Sequence, residues 1–227
     1  MTHWFYLALD IGTFLCPLCL SFDSNVAYRK SWISAFLASL IIAVPFLIWD
    51  VIFTENGFWG FNPEFISGIY IFNLPLEEVL FFILIPFACT FIYEVCKHFF
   101  RNWNVSALNR IFFLFIPLYA LTLVLIDDYG YYTLSVVISS SLVLIWLLSN
   151  PTYRFAPLAF IISIIPFLIV NGALTGSFTD EPVVWYSEAQ KISYRIFTIP
   201  MEDILYSFTM VVGNIIVFEK LKAKIKI

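Results

Sequence analysis

Leu74-Pro75-Leu76-Glu77-Glu78-Val79-Leu80-Phe81-Phe82 and, 125 residues further on, Ile199-Pro200-Met201-Glu202-Asp203-Ile204-Leu205-Tyr206 are the two stretches on which the reading of this chain turns. Each sets a proline before two adjacent acids and then runs into a long apolar segment. A second pair precedes them. Pro45-Phe46-Leu47-Ile48-Trp49-Asp50 and Pro166-Phe167-Leu168-Ile169-Val170-Asn171 lie 121 residues apart, share their first four residues and exchange a carboxylate for its amide. Two matches in the same order identify an internal repeat.

The composition says where such a repeat lives. Of 227 residues 61% are hydrophobic and 12% charged, against about 45–50% and 25% in a soluble domain. A net charge of −4 offers no basic field to nucleic acid. So apolar a chain is neither disordered nor a secreted disulfide scaffold. Seven segments approach the roughly 20 apolar residues that cross a bilayer: 4–20, 31–53, 77–95, 111–126, 131–148, 155–174 and 199–218, the fourth being the shortest. None shows the short-period alternation of a membrane barrel, so the expected fold is an all-α integral membrane protein of seven transmembrane helices. Spans 1–3 (residues 1–100) and 5–7 (residues 130–227) form the two repeats, and span 4 (residues 101–129) is a linker helix. Three is odd, so the linker restores orientation. The repeats then lie parallel, about a pseudo-two-fold axis along the membrane normal, with both acidic blocks facing one shared cavity.

Loop charges orient the chain. Arg29, Lys30, Lys97, Arg101, Arg110, Arg154, Lys220, Lys222, Lys224 and Lys226 fall on one side, and only Lys191 and Arg195 on the other. The positive-inside rule then puts the N-terminus outside and the C-terminus in the cytoplasm, as a multi-pass protein of the cell membrane. The first span lacks a basic leader and a small-residue cleavage site, so it reads as a retained helix. Asp127 and Asp128 read as a solvated outer turn. Cys16, Cys19, Cys89 and Cys96 read as core thiols, and His3 and His98 sit near opposite faces, so no metal site is expected.

The candidate acids inside or bordering the spans are Asp10, Asp50, Glu77, Glu78, Glu202 and Asp203, with no Lys or Arg within a span to neutralise them. An ionisable group at membrane depth is a functional candidate by default. Burial and a neighbouring acid both favour the protonated carboxyl, and an acid that keeps its proton at neutral pH is a general acid. Two readings stand side by side. In one the acids do chemistry, and because adjacent residues point about 100° apart on a helix, one of each pair faces the cavity. In the other they are first-turn residues complementing a helix dipole. Asp50 is placed to orient groups or relay protons, with Asn171 as its uncharged counterpart. The loop Glu55-Asn56-Gly57-Phe58-Trp59-Gly60-Phe61-Asn62-Pro63 fits an interfacial aromatic belt or a lid over the site. No dinucleotide fingerprint, no paired aspartate motif for magnesium diphosphate chemistry and no lysine for a retinal Schiff base is present in the spans. Cofactor-free acid–base chemistry on an apolar substrate survives.

These residues carry a resemblance over essentially the whole chain. P-F-L-I-W-D closing one span, the loop G-F-W-G-F-N-P and N-L-P-L-E-E-V-L-F-F opening the next resemble the heterodimer-type carotenoid cyclases, with both subunits fused and F-T-I-P-M-E-D-I-L-Y as the second block. Asn171 and Asp203 depart from the family's aspartate and second glutamate, which suggests unequal halves. The resemblance implies lycopene β-cyclase activity, an isomerisation without cofactor. It implies acid and base among Glu77, Glu78, Glu202, Asp203 and Asp50, and substrate contacts from Phe81, Phe82, Tyr206, Trp49 and Asn171. The expected partners are lycopene or a related acyclic carotenoid, membrane lipid and other carotenoid enzymes, with no nucleic acid. Alternatives on the same scaffold are a carotenoid hydratase, a cyclase for fifty-carbon carotenoids and a non-catalytic assembly partner. A small transporter or proton channel is the alternative from another class.

Overall fold

The computed structural model describes residues 3–126 and 129–225; the expected outer turn at Asp127 and Asp128, and Lys226, lie outside the described residues. Among the described residues the chain forms α1 (Phe5–Leu20), α2 (Trp32–Glu55), α3 (Leu76–Phe99), α4 (Ser106–Ile126), α5 (Tyr131–Leu148), α6 (Ala156–Leu174) and α7 (Glu202–Lys224). Six are long and apolar enough to cross a bilayer, and α1, with 16 residues, is the shorter seventh. The fourth helix is longer than its apolar run: it starts at Ser106, five residues ahead of 111, because Ser106, Asn109 and Arg110 continue it beyond the hydrocarbon. At α7 the start moves the other way. Ile199 and Pro200 are strand, and the helix opens at Glu202.

That shift has a structural cause which the sequence reading did not anticipate. Each proline of the two acidic blocks ends a small antiparallel hairpin. The strands β2 (Tyr70–Ile71) and β3 (Leu74–Pro75) pair Tyr70 with Pro75, and β5 (Arg195–Ile196) and β6 (Ile199–Pro200) pair Arg195 with Pro200. Their tips, Phe72 at φ 58° and Phe197 at φ 56°, share the left-handed conformation. Proline is tolerated here because both strands of a two-stranded hairpin are edges, where a missing N–H need not break a ladder.

The helices interlock across the repeats. In each half the third helix carries the first: α1 lies on α3, and α5 on α7. The second helices cross over, α2 packing on α7 and α6 on α3. Small residues permit the closest crossing. Ala35 and Ala38 of α2 are fully buried, and a Cβ on Gly213 of α7 would touch Ile42 at 3.6 Å. The linker α4 rests on α5 and α6 at the outside of this arrangement.

A third strand pair closes the acid-bearing end. β1 (Trp59–Phe61) runs antiparallel to β4 (Val184–Tyr186), with Gly60 opposite Trp185. Those two residues are 125 apart, so equivalent segments of the two repeats meet each other at the pseudo-axis. Gly60 is required there, since a Cβ would lie 2.4 Å from the Trp185 ring. Of the two readings of the 55–63 loop, the structure favours the lid: Trp59 is 5% exposed and its indole reaches Asp50. Cys89 and Cys96 are buried as expected, whereas Cys16 and Cys19 are exposed on α1. The correction has a simple reason. A thiol on a membrane helix is apolar enough to face lipid as well as core.

Candidate active site

The adjacent acids of each block divide by direction. Glu77 Oε1 accepts the backbone N–H of Ser67 at 2.7 Å, and Glu202 Oε1 accepts that of Ile192 at 2.7 Å. Ser67 and Ile192 are themselves 125 residues apart, so the same bond is made twice. Thr133 adds a hydroxyl to Glu202 at 2.7 Å. Both acids are fully buried, and neither caps its own helix. Each fastens the loop that precedes its helix.

Glu78 and Asp203, one helical step further, point into the interior between the repeats. Tyr6 of α1 donates its hydroxyl to Glu78 Oε2 at 2.6 Å, and Tyr132 of α5 donates to Asp203 Oδ1 at 2.5 Å. Beyond this shared tyrosine the halves differ. Asp203 Oδ2 accepts two more bonds, from Asn171 Nδ2 at 2.7 Å and from the Tyr186 hydroxyl at 3.1 Å. Burial and the adjacent Asp203 push the Tyr186 hydroxyl well above its ordinary value, so it remains a donor. In the first repeat Asp50 occupies the place of Asn171. Its Oδ1 accepts the Trp59 indole, its Oδ2 meets no N–H or hydroxyl donor, and its carboxyl lies within hydrogen-bonding reach of Glu78.

Asp50, Glu78 and Asp203 share one cavity of about 540 Å³, whose wall is otherwise mostly apolar. It follows α3 from Glu78 to Ile92, about 21 Å at 1.5 Å per residue. Of the residues singled out in the sequence, Phe81, Tyr206 and Asn171 also line it, whereas Glu77, Glu202, Phe82 and Trp49 do not. Phe82 and Trp49 stand behind Tyr206, with ring centroids 6.4 and 5.0 Å away, and Phe46 meets that ring edge-on at 5.0 Å. They fix the ring that faces the cavity. Three residues of the site escaped the sequence reading, Tyr6, Tyr132 and Tyr186, and Trp59 entered it only as part of the 55–63 loop. A signal existed for two of them. Phe5-Tyr6 and Tyr131-Tyr132 open the first helix of each repeat at an offset of 126.

Two neighbouring carboxyls, a third carboxyl with three donors and aromatic faces in a mostly apolar cavity suit proton transfer to and from a hydrocarbon. Comparison with known proteins agrees with the duplication. The family described as lycopene cyclase matches residues 3–96 and 128–221, one match on each repeat with α4 between them. No curated protein and no solved structure matches the chain.

Proposed function

Because the chain belongs to the lycopene cyclase family, we propose that this carotenoid cyclase closes the ψ-ends of lycopene to β-rings, giving β-carotene by way of γ-carotene without a cofactor. The observation that carries the reading is the convergence of Asp50, Glu78 and Asp203 on one apolar cavity. Two carboxyls in contact cannot both be ionised in such surroundings, so the Asp50–Glu78 pair holds a proton and is the general acid. Asp203, with its three donors, is the general base.

The steps balance without an oxidant or a reductant. The acid delivers its proton to C2 of the ψ-end, leaving a tertiary cation at C1. The C5–C6 π electrons form the C1–C6 bond and close a six-membered ring, moving the cation to C5. Asp203 removes the C6 proton, and that electron pair restores the C5–C6 double bond. Tyr206 and Phe81 face the cavity and stabilise the passing cation by roughly 0.5–2 kcal/mol each. The lid of β1 and β4 excludes water, which would trap the cation as a tertiary alcohol. Glu77 and Glu202 are positioning residues that hold the loops beneath this lid. The charge pattern supports an orientation with the N-terminus and the acid-bearing end outside and the lysine-rich end in the cytoplasm.

The test is pigment chromatography of lycopene-producing cells expressing the chain. The wild type is expected to yield γ- and β-carotene. Glu78→Gln and Asp203→Asn are each expected to lose about 10²–10⁴-fold in rate with normal membrane insertion. Full cyclisation by both variants would refute the acid and base assignment, and a hydroxylated acyclic product from the wild type would make the chain a hydratase.

A further inference from the structure

The cavity must admit a long, rigid, water-insoluble molecule, and its wall is unequal on the two sides of the pseudo-axis. Ala8, Gly12 and Cys16 follow one another at four-residue spacing along α1. All three are exposed on the outside of the protein and also line the cavity. They therefore border an opening. A Cβ on Gly12 would find no atom within 4 Å. Across from them stands Ile169 of α6, which lines the same cavity and is 58% exposed. The contact between α1 and α6 is sparse, whereas α1 packs extensively on α3.

The repeat supplies the control for this observation. Tyr6 and Tyr132 fix the correspondence of α1 and α5 through their matching bonds to Glu78 and Asp203. At the same offset of 126, Ala8, Gly12 and Cys16 correspond to Leu134, Ile138 and Leu142. All three of these are large and lipid-facing, at 39%, 52% and 64% exposure. Small residues on this face are thus no requirement of the helix or of its place in the fold. They occur only where the cavity reaches the outside.

We propose that the Ala8–Gly12–Cys16 face of α1 and the Ile169 side of α6 frame a lateral slot through which an extended apolar polyene enters directly from the bilayer. From Ala8 to Cys16 the slot runs about 12 Å along the helix. It lies on the membrane-facing side of the bundle, so the substrate never crosses water. Asp50 Oδ2, buried and without an N–H or hydroxyl donor, lines the same cavity beside Glu78, where the entering chain terminus would meet the acids. One slot and one set of acids also imply that the two ends of a polyene are handled in separate visits, with the once-cyclised molecule withdrawn and turned between them. The identity of the polyene rests on the cyclase reading; the slot does not.

The decisive variant transplants the second repeat's residues onto the first: Ala8→Leu/Gly12→Ile/Cys16→Leu, with Gly12→Ile alone as the milder form. The mirror variant is Leu134→Ala/Ile138→Gly/Leu142→Cys. Each is purified in nanodiscs, its thermal midpoint is checked, and two quantities are measured with lycopene supplied in the bilayer: the rate of carotenoid binding by absorbance, and kcat/KM for ring formation. The triple variant is expected to bind carotenoid, and to form rings by kcat/KM, at least about tenfold more slowly. Gly12→Ile should fall between it and the wild type, and the mirror variant should match the wild type. Wild-type binding by folded Gly12→Ile and triple variants, or equal slowing by the mirror variant, would overturn the slot. Slot-dependent binding without any ring formation by the wild type would keep the slot and reject the cyclase reading.

Discussion

The two halves of this protein share a skeleton and differ in what surrounds their cavity acids. Glu77 with Ser67 and Glu202 with Ile192 make the same bond at the same 2.7 Å, and both hairpins turn at a left-handed phenylalanine. The cavity acids are where the halves part. Glu78 has a carboxyl for a neighbour, Asp50, whereas Asp203 has an amide, Asn171, and a tyrosine, Tyr186. A duplicated scaffold brings Asp50, Glu78 and Asp203 into one cavity with different neighbours on its two sides. On the proposed mechanism the acid comes from one half and the base from the other, so neither half alone would close a ring.

The most severe way to break the comparison is to make the halves alike. Asp50→Asn gives the first repeat the amide of the second and removes the carboxyl that the proposed mechanism pairs with Glu78. Asn171→Asp gives the second repeat the carboxyl of the first and replaces a donor to Asp203 with a competing acid. Each is expected to lower kcat about 10²–10⁴-fold, the range for an acid or base removed from action. Product analysis over time in membranes measures this. A rate within twofold of wild type for Asn171→Asp would mean that the amide is not what sets Asp203 apart.

A milder change tests the third donor. Phe61 is the first-repeat equivalent of Tyr186, so Tyr186→Phe erases that difference between the lid strands. A hydrogen bond to a charged group contributes about 1.5–3 kcal/mol, so kcat should fall roughly tenfold to a hundredfold with KM little changed. The same hydroxyl predicts something about pH. Burial, and Asp203 beside it, hold Tyr186 well above its ordinary value of 10.0, so its proton is present below that pH and is lost only as pH rises beyond it. The wild-type rate should therefore show no decline from this group up to pH 10.0. A downturn near neutrality that disappears in Tyr186→Phe would contradict this.

The sequence made the duplication and the acids legible because both are written in contiguous residues. Pro75 before Glu77-Glu78 and Pro200 before Glu202-Asp203 are local signals. Which acid turns inward was not local. Neighbours on a helix differ by 100°, and choosing between them requires knowing that Ser67 and Ile192 wait on the far side. The hairpins stayed hidden for a different reason. A left-handed turn advertises itself through glycine or asparagine, and here Phe72 and Phe197 hold it. The lid pairs Gly60 with Trp185 across most of the chain, which a reading of separate repeats cannot supply. Cys16 was misread because burial was assumed for every apolar side chain in a span, when membrane helices bury their oil in lipid as well as in protein.

Those hairpin tips offer the smallest effect and the sharpest contrast with the acids. A bulky residue in the left-handed region costs about 1–2 kcal/mol relative to the right-handed one. Phe72 and Phe197 nevertheless take it up with 88% and 85% of their surface exposed, so no protein core compensates them. The bilayer interface can, since aromatic rings settle there. Phe72→Gly and Phe197→Gly should therefore be neutral or stabilising in detergent, raising the thermal midpoint by up to about 2–4 °C per kcal/mol regained, and the gain should vanish in nanodiscs. Because the tips belong to the shared skeleton, the two variants should behave alike, unlike Asp50→Asn and Asn171→Asp, which change the halves in opposite senses. Destabilisation by either glycine in detergent would mean that the rings are held by protein rather than by membrane, and unequal responses would place the divergence of the repeats in the scaffold as well as in the acids.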